Sequence, residues 1–453
     1  MGQSIVAVLD LGTSKSIALV AQKDHGGKLS VLRAETLPSK GAIRRGRIYN
    51  SEETAGIISS LIRKLNTGRR DPIQIEKIYV GVGGQSLHTQ IFTIKRIVSE
   101  EMVTPHMIDS MENEAGSYTP DLEDNLGVVS CEYYADGHLV ENPKGTMASV
   151  IEARFQLLVG NPCLKRNLTT VFNNKDISVV YFISPLATAE AVLTPEEKES
   201  GCALVELGEG ITYVSIYKNK ALKYLATLPV GGLAITKDIR SLNVSEAEAE
   251  VLKIEHGSVI TDLNNSATIS LGEGQNPSRS IEQKELNWII EARADEIVKN
   301  VWAQIQVSGY SQSLDAGIVI TGGGALLRDL PQYIKTQTGK EVRLADAKAW
   351  VNSMETALSP ADSCVIGLAL LGKENCVKVK VVVPPPPKID EPALFNEEEI
   401  EVVKQPERQP TERPEKGSFL GSIGKKLKKT IDNGTRIFQE EELDNKNNET
   451  NKR

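Results

Sequence analysis

The feature that most constrains the fold of this chain is an internal repeat of a short turn motif. Residues 10–12 (Asp-Leu-Gly) recur as residues 206–208 (Glu-Leu-Gly), and apolar runs that are typical of β-strands flank both copies. Each copy predicts two strands joined by a tight turn, because glycine allows the backbone conformations that such turns need. Two copies in one chain of 453 residues indicate two homologous halves.

Composition limits the classes of protein to which the chain can belong. Hydrophobic residues make up 40% and charged residues 25%, which is typical of a globular protein with a packed core. The formal net charge is −8, whereas proteins that bind nucleic-acid backbones usually carry a basic surplus, so nucleic acid is not an expected partner. The five cysteines are widely spaced, which argues against a disulfide framework or a zinc site and favours a reducing compartment.

No membrane span is predicted from the sequence. The most apolar run, residues 177–193, is interrupted by a Ser-Pro pair and a glutamate, and it is shorter than the roughly 20 residues that a spanning helix needs. The N-terminal residues lack the basic region of a signal peptide. We therefore expect the body of the protein to be cytosolic.

The composition changes abruptly after Cys376. Four prolines at residues 384–387 lead into a stretch rich in Glu, Pro and Gln, and this composition predicts a disordered linker over residues 377–417. The last residues, 439–453, are rich in Asn, Glu and Lys and are predicted to be a disordered tail.

Between the linker and the tail, residues 418–438 regain apolar side chains at helical spacing, with basic residues mostly between them. A short, basic amphipathic helix is suited to a membrane surface with anionic lipids, and this one is too short and too charged to span a bilayer. A partner-binding helix or a solvated helix is the alternative. The residues expected at the membrane are Phe419, Leu420, Ile423, Lys425, Lys426, Leu427, Lys428, Lys429, Ile431 and Phe438.

Helical periodicity is clearest in residues 52–65 and 281–307. The apolar stripe of the longer segment consists of Leu286, Ile290, Ile297, Val301 and Ile305. Packing against a core is the simplest interpretation of both stripes.

Three glycine turns are the candidate functional motifs. They lie in residues 10–14, in residues 206–212 and in residues 317–327, where an apolar strand enters a run of three glycines. Glycine lets backbone N–H groups approach phosphate oxygens closely, and consecutive turn amides form an anion-binding site. One such turn is most often only a hairpin, but the three together predict a nucleotide in a cleft between two halves.

The roles of the motif residues follow from the chemistry of phosphate and Mg²⁺. Mg²⁺ binds through few carboxylates plus phosphates, so Asp10, at the end of a predicted strand, is the expected residue on the metal side. The residues expected to bind the nucleotide in these turns are Gly12, Thr13, Ser14, Lys15, Gly208, Glu209, Gly210, Gly322, Gly323 and Gly324.

These turns resemble the phosphate-1, phosphate-2 and adenosine motifs of the actin/Hsp70/sugar-kinase superfamily. Residues 41–48, 80–89, 142–153 and 229–239 are more specifically similar to the FtsA family of bacterial cell-division proteins, and the resemblance covers residues 4–376. It implies an α/β, actin-like fold with two RNase-H-like halves around a nucleotide cleft. It also implies an inserted subdomain of the FtsA type, and Glu250 and Lys253 near the ribose and base, although a charged helix face is the simpler interpretation of those two residues.

The resemblance implies the following subdomains. Subdomain 1A would comprise residues 1–81 and 161–200, the inserted subdomain 1C residues 82–160, subdomain 2A residues 201–240 and 305–376 with a return to 1A, and subdomain 2B residues 241–304.

The function implied by the resemblance is that of a protein that binds ATP and Mg²⁺ and polymerises with itself into a filament. It would anchor the division protein FtsZ, through the C-terminal peptide of FtsZ, to the cytoplasmic face of the bacterial inner membrane at the division site. Other division proteins would be further partners. Residues 241–304 would contact the FtsZ peptide, with Arg279 and Arg293 as candidate contacts. A small-molecule phosphotransferase of the same superfamily and a pilus-assembly adaptor are the alternatives.

Two positions depart from the family pattern. Glu206 stands where the phosphate-2 motif usually has Asp, and Glu209 stands where it has Gly. Asp10 and Glu206 are the candidate catalytic residues, and a carboxylate displaced by about one methylene would slow a reaction that depends on positioning. We therefore expect at most a weak ATPase activity.

Overall fold

The structure is a computed structural model, and it describes residues 4–67, 73–98, 102–173, 175–271, 279–353 and 358–379. The strands are β1 (Ser4–Leu11), β2 (Lys15–Lys23), β3 (Leu29–Pro38), β4 (Ile43–Arg44), β5 (Arg47–Ile48), β6 (Ile73–Ile75), β7 (Lys77–Val82), β8 (His88–Ile97), β9 (Asp124–Ala135), β10 (His138–Val140), β11 (Val150–Gly160), β12 (Ser178–Ile183), β13 (Cys202–Leu207), β14 (Thr212–Lys218), β15 (Ala221–Leu228), β16 (Thr268–Leu271), β17 (Arg279–Glu282), β18 (Ile318–Thr321), β19 (Val342–Leu344), β20 (Val351–Ser353) and β21 (Val377–Val379).

The helices lie between groups of these strands along the chain. They are α1 (Ser51–Asn66), α2 (Pro105–Ser117), α3 (Cys163–Phe172), α4 (Ser184–Val192), α5 (Pro195–Ser200), α6 (Gly232–Ile239), α7 (Glu246–Glu255), α8 (Gln283–Val307), α9 (Leu330–Thr338) and α10 (Ser363–Leu371). Short 3-10 helices cover Arg240–Leu242, Gly323–Leu326, Lys348–Trp350 and Pro360–Asp362.

The repeated turn motif forms the same arrangement in two sheets. In the first sheet, of order β12-β7-β1-β2-β3-β20, the hairpin β1–β2 lies beside the parallel strand β7. In the second, of order β15-β14-β13-β18-β19, the hairpin β13–β14 lies beside the parallel strand β18. The predicted strand–turn–strand repeat is therefore confirmed.

The two hairpin turns require glycine for the same steric reason. Gly12 N donates to Lys15 O at 3.1 Å, and Gly208 N donates to Ile211 O at 2.9 Å. A Cβ at Gly12 would lie 2.7 Å from that Lys15 oxygen, and a Cβ at Gly208 would lie 2.9 Å from that Ile211 oxygen. A larger residue at either position would push the turn open.

Residues 88–160 form a separate four-stranded sheet of order β10-β9-β11-β8, and α2 packs against its core. This inserted sheet contacts β15, the last strand on one side of the second sheet. Leu225 N of β15 donates to Thr89 Oγ1 at 2.8 Å, and Ser130 Oγ donates to Leu222 O at 3.0 Å. Hydroxyl groups of the insertion therefore bind the amide of Leu225 and the carbonyl of Leu222 on β15.

Helix α10 packs so closely against α4 that the backbones of the two helices are in contact. A Cβ at Gly367 of α10 would lie 1.8 Å from Ala187 O of α4, so only glycine fits there. This close approach brings the N-terminal end of α10, with Asp362 and Cys364, beside the end of β1.

The linker predicted over residues 377–417 begins too early. Strand β21 pairs antiparallel with β6, and Val377, which is 4% exposed, lies opposite Ile75. The alternating valines of this segment fit a sheet edge, and the following proline run led to the wrong boundary. The remainder of the predicted linker, the predicted membrane helix at 418–438 and the predicted tail at 439–453 lie outside the described residues. Within the described ranges, no helix is long and apolar enough to cross a bilayer.

Candidate nucleotide-binding site

A cavity of about 640 Å³ lies where the two glycine hairpins approach each other. Every site residue predicted in the three turns and in α7 lines it: Asp10, Gly12, Thr13, Ser14, Lys15, Glu206, Gly208, Glu209, Gly210, Glu250, Lys253, Gly322, Gly323 and Gly324. A volume of this size is in the usual range for small-molecule sites. The predicted membrane residues, Phe419 to Phe438, lie outside the described part of the chain.

The two turns that resemble phosphate motifs, residues 10–14 and 206–212, touch each other at Thr13. A Cβ at Gly210 would lie 2.9 Å from Thr13 Oγ1, so the second turn meets the first through bare backbone. Gly46 N donates to the same Thr13 oxygen at 3.2 Å. Next to this point, Lys15 Nζ lies 3.0 Å from Asp362 Oδ1, and this ion pair connects the first turn to the residues that precede α10.

Two partly buried acids occupy equivalent places on the two hairpins. Asp10 is near the end of β1 and accepts a hydrogen bond from Cys364 Sγ at 3.5 Å. Burial raises the pKa of the Asp10 carboxyl above its usual value. Glu206 is near the end of β13, and burial, together with the charge of Asp10, raises the pKa of Glu206 to about 8.

Glu206 has an unsatisfied oxygen. Its Oε2 atom is buried and has no partner at hydrogen-bond distance among the described residues; the nearby hydroxyl of Thr188, which acts to lower the pKa of Glu206, is unpaired as well. Buried polar atoms in native proteins are nearly always paired, so an unpaired one points to a missing partner. A cation that approaches this carboxylate and Asp10 would supply that partner.

The donor set fits Mg²⁺ only in combination with phosphate. In the described ranges no group of three or more His, Cys, Asp or Glu side chains could hold a metal ion by itself. Mg²⁺ keeps several waters and usually binds through one or two carboxylates plus phosphate oxygens. Asp10 and Glu206 match that requirement, because they are two carboxylates beside glycine turns.

Glu209 lies in the second turn, on the surface of the cavity. Burial, followed by the charge of Glu250, raises the pKa of the Glu209 carboxyl. Its backbone oxygen accepts a hydrogen bond from Leu233 N at 2.9 Å, and Gly232 N donates to Gly208 O at 3.0 Å. The N-terminal amides of α6 are therefore bound to the carbonyl groups of the turn.

Helix α7 carries Glu250 and Lys253 on one face. A capping box between Ser245 and Glu248 starts the helix, and the spacing of three residues places the two charged side chains side by side. Lys253 Nζ lies 2.7 Å from Glu250 Oε2 and donates to Gly232 O at 3.2 Å. Both residues thus face the cavity and also attach α7 to α6.

The third turn forms another wall of the cavity. Gly322 has φ +90°, a conformation that favours glycine, and a Cβ there would lie 2.4 Å from Leu207 O. The turn therefore packs backbone against backbone beside β13. The flat surface of three glycines remains open on the cavity side.

Other residues that line the cavity were not predicted from the sequence. They include Arg47, Ser184, Tyr213, Arg328 and Cys364. Arg47 belongs to residues 41–48, which are similar to the family but in which no single residue is predicted to bind a ligand. Tyr213 follows the second turn directly, and its hydroxyl accepts a hydrogen bond from Gly84 N at 2.7 Å, which fixes the loop that leads into the insertion. Cys364 had no local signal, because the packing of α10 alone brings it to Asp10.

Two homologous halves whose glycine hairpins meet at one cavity define an actin-like α/β protein. The solved structure of a chain in the "PilM-PilN type IV pilus biogenesis complex" has this fold, with a TM-score of 0.56 over 81% of this chain and 97% of that one. Its sequence identity of 14% shows a likeness of fold alone.

The chain belongs to the FtsA family. The family model "Cell division protein FtsA" matches residues 203–367. The cell division protein FtsA of Porphyromonas gingivalis is 32% identical over 383 residues, which are 82% of this chain and 79% of that protein. The cell division protein FtsA of Neisseria meningitidis is 28% identical over 380 residues, which are 81% of this chain and 89% of that protein.

Proposed function

We propose that this chain is a cell-division protein that binds Mg-ATP between its two halves and forms filaments as an actin homologue. It anchors FtsZ to the cytoplasmic face of the inner membrane and works there with other division proteins. The observation that carries the nucleotide proposal is the pair of partly buried acids, Asp10 and Glu206, at equivalent positions beside two glycine turns. Membership of the FtsA family supports the role in division over a phosphotransferase or a pilus adaptor.

The residues of the cavity divide into a phosphate end and an adenosine end. Backbone amides of the two turns and the hydroxyls of Thr13 and Ser14 would donate to phosphate oxygens. Asp10 and Glu206 would hold Mg²⁺, which would neutralise phosphate charge when bound. Glu250 and Lys253 would contact the ribose and base, with the glycines at 322–324 against the adenosine.

We expect the full chain to bind Mg-ATP in a calorimetric titration but to release phosphate slowly, because Glu206 is longer than aspartate and Glu209 adds negative charge beside the phosphates. The double change Glu206→Asp with Glu209→Gly should raise the rate of phosphate release by about tenfold or more.

The matched control is Glu141→Gly, which removes an exposed acid outside the cavity and should leave the rate unchanged. A wild-type rate of several turnovers per second would contradict the argument from charge and geometry. Absence of any binding of Mg-ATP would refute the nucleotide proposal itself.

The FtsZ peptide is proposed to bind within residues 241–304, but the two arginines considered from the sequence are already engaged. Arg293 Nε lies 2.6 Å from Asp238 Oδ2, and the same guanidinium pairs with Glu296. Arg279 donates to the backbone oxygens of Leu242 and Asn243. A change at Arg293 would therefore disturb an internal ion pair as well as any contact with a peptide.

Trp288 is a better probe of this surface, because it is 64% exposed at the start of α8. Large exposed aromatic side chains are frequent centres of binding energy. The change Trp288→Ala should lower retention of the chain on an immobilised FtsZ C-terminal peptide by about tenfold or more, with unchanged affinity for Mg-ATP. Val307→Ala is the control, since Val307 is 73% exposed at the other end of α8. Equal retention of wild type and Trp288→Ala would move the contact to another face.

A further inference from the structure

Arg47 lies on the small hairpin β4–β5, whose turn is fixed against both phosphate-type turns. The turn residues Arg45 and Gly46 have φ values of 49° and 69°, as in the two-residue turns that suit tight hairpins. Gly46 N donates to Thr13 Oγ1 at 3.2 Å. A Cβ at Gly46 would lie 2.9 Å from Ile211 Cδ1, so the hairpin tip contacts the first turn on one side and the second turn on the other.

The position of this hairpin places Arg47 at one particular end of the cavity. Glu250, Lys253 and Gly322 line the cavity from the second half, at the proposed adenosine end. Arg47 lines it from the first half, and the residue before it, Gly46, donates its amide to Thr13. A phosphate chain that starts at the adenosine end and follows the two turns would finish beside this hairpin.

Arg47 is also distinguished by its lack of a partner. Three other cations line the cavity, and each is engaged: Lys15 with Asp362, Lys253 with Glu250, and Arg328 with the backbone oxygen of Glu255. Across the described ranges, the Arg47 guanidinium has neither an ion pair nor a side-chain hydrogen bond. It is exposed at the cavity surface, so no internal bond has to be broken before it binds an anion.

We propose that Arg47 binds the terminal phosphate of the nucleotide and makes the site prefer ATP to ADP. This inference rests on the proposed nucleotide site and adds a specificity-determining residue to it. The planar guanidinium presents a fork of donors that matches two phosphate oxygens. ATP carries one more charged phosphate than ADP, and Asp10, Glu206 and Glu209 line the same cavity, so an unpaired cation matters most for the more highly charged nucleotide.

The test is a calorimetric titration of the full chain with ATP and with ADP, both in the presence of Mg²⁺. The change Arg47→Ala should weaken the binding of ATP by about 10- to 100-fold, as expected for hydrogen bonds to a charged group. Binding of ADP should change by less than about threefold, because ADP lacks the phosphate that Arg47 contacts. Arg47→Lys should recover part of the loss for ATP, since it keeps the charge but not the fork.

Arg44→Ala is the matched control. Arg44 belongs to the same hairpin, but its guanidinium stacks on the Tyr49 ring at 4.1 Å and it does not line the cavity. Removal of this charge should leave the ratio of ATP to ADP affinity unchanged. Thermal unfolding of the nucleotide-free chains shows whether the variants fold, and Arg47→Gln, which keeps most of the side-chain stem, replaces Arg47→Ala if that variant does not.

The outcomes separate this inference from the proposed function. If wild type binds both nucleotides and Arg47→Ala weakens ATP and ADP equally, or neither, then Arg47 does not contact the terminal phosphate. An equal loss of ATP affinity in Arg44→Ala would show a general effect of charge and would also overturn the inference. If wild type binds neither ATP nor ADP, the proposed nucleotide site and the role of Arg47 fail together.

Discussion

Replacement of Asp10 by alanine is expected to weaken the binding of Mg-ATP by about 100-fold, while the binding of metal-free ATP changes only about threefold. Asp10 lies near the end of β1 with its carboxyl inside the cavity, and hydrogen bonds to charged groups contribute roughly 1.5–3 kcal/mol each. The loss should therefore depend on the metal, since the amides and hydroxyls of the turns are unchanged in the variant. Titrations with ATP in the presence of Mg²⁺ and of a chelator measure both affinities.

Two further variants sharpen this result. Asp10→Asn keeps the shape of the side chain and removes its charge, so it should resemble Asp10→Ala in its response to Mg²⁺. Asp121→Ala removes an exposed acid outside the cavity and should behave as wild type. If wild type bound ATP with the same affinity with and without Mg²⁺, Asp10 would have no role on the metal side.

The second large effect is expected in the segment at 418–438, where Leu427→Glu should abolish binding to anionic vesicles. Leu427 occupies the middle of the apolar stripe in the sequence. The change removes apolar burial of about 2 kcal/mol and about 1 kcal/mol of attraction to the anionic surface. Together these losses correspond to a roughly 100-fold weaker interaction. Co-sedimentation with vesicles of anionic and of neutral lipids measures it.

The control for this variant is Lys429→Gln, which changes the net charge by the same amount but lies opposite the stripe on a helical projection. It should weaken binding only about fivefold, which is the loss expected from one electrostatic attraction to the anionic surface. Binding of wild type should also fall as salt rises, because the Debye length shrinks from about 10 Å at 0.1 M to about 3 Å at 1 M. Binding that is indifferent to lipid charge, to salt and to Leu427→Glu would exclude a membrane anchor.

The parts of the fold that could be predicted are those with a local signal. The glycine turns after β1 and β13 identified both hairpins, since their backbone contacts leave no room for a Cβ. The stripe from Leu286 to Ile305 identified α8, and its members are buried in the structure. The actin-like fold class followed from the repeat together with the resemblance, and it is confirmed by the family and by the fold comparison.

The parts that could not be predicted depend on contacts between distant residues. Cys364 reaches Asp10 only because Gly367 allows α10 to pack against α4. Arg47 belongs to a hairpin of two-residue strands, which is too short for any periodic pattern. Strand β21 has only three residues and lies beside a proline-rich stretch. The sequence therefore did not indicate that it pairs with β6.

The hydroxyl contacts between the inserted sheet and β15 have a consequence for solubility. An edge strand that carries Leu222 and Leu225 and presents free amides is a template for association with the edge of another molecule. Thr89 and Ser130 block that template without extending the sheet, because a side-chain oxygen binds the backbone groups but offers no new edge. The insertion therefore covers part of the edge of the second sheet, and we expect this cover to lower the tendency of the second half to associate edge to edge.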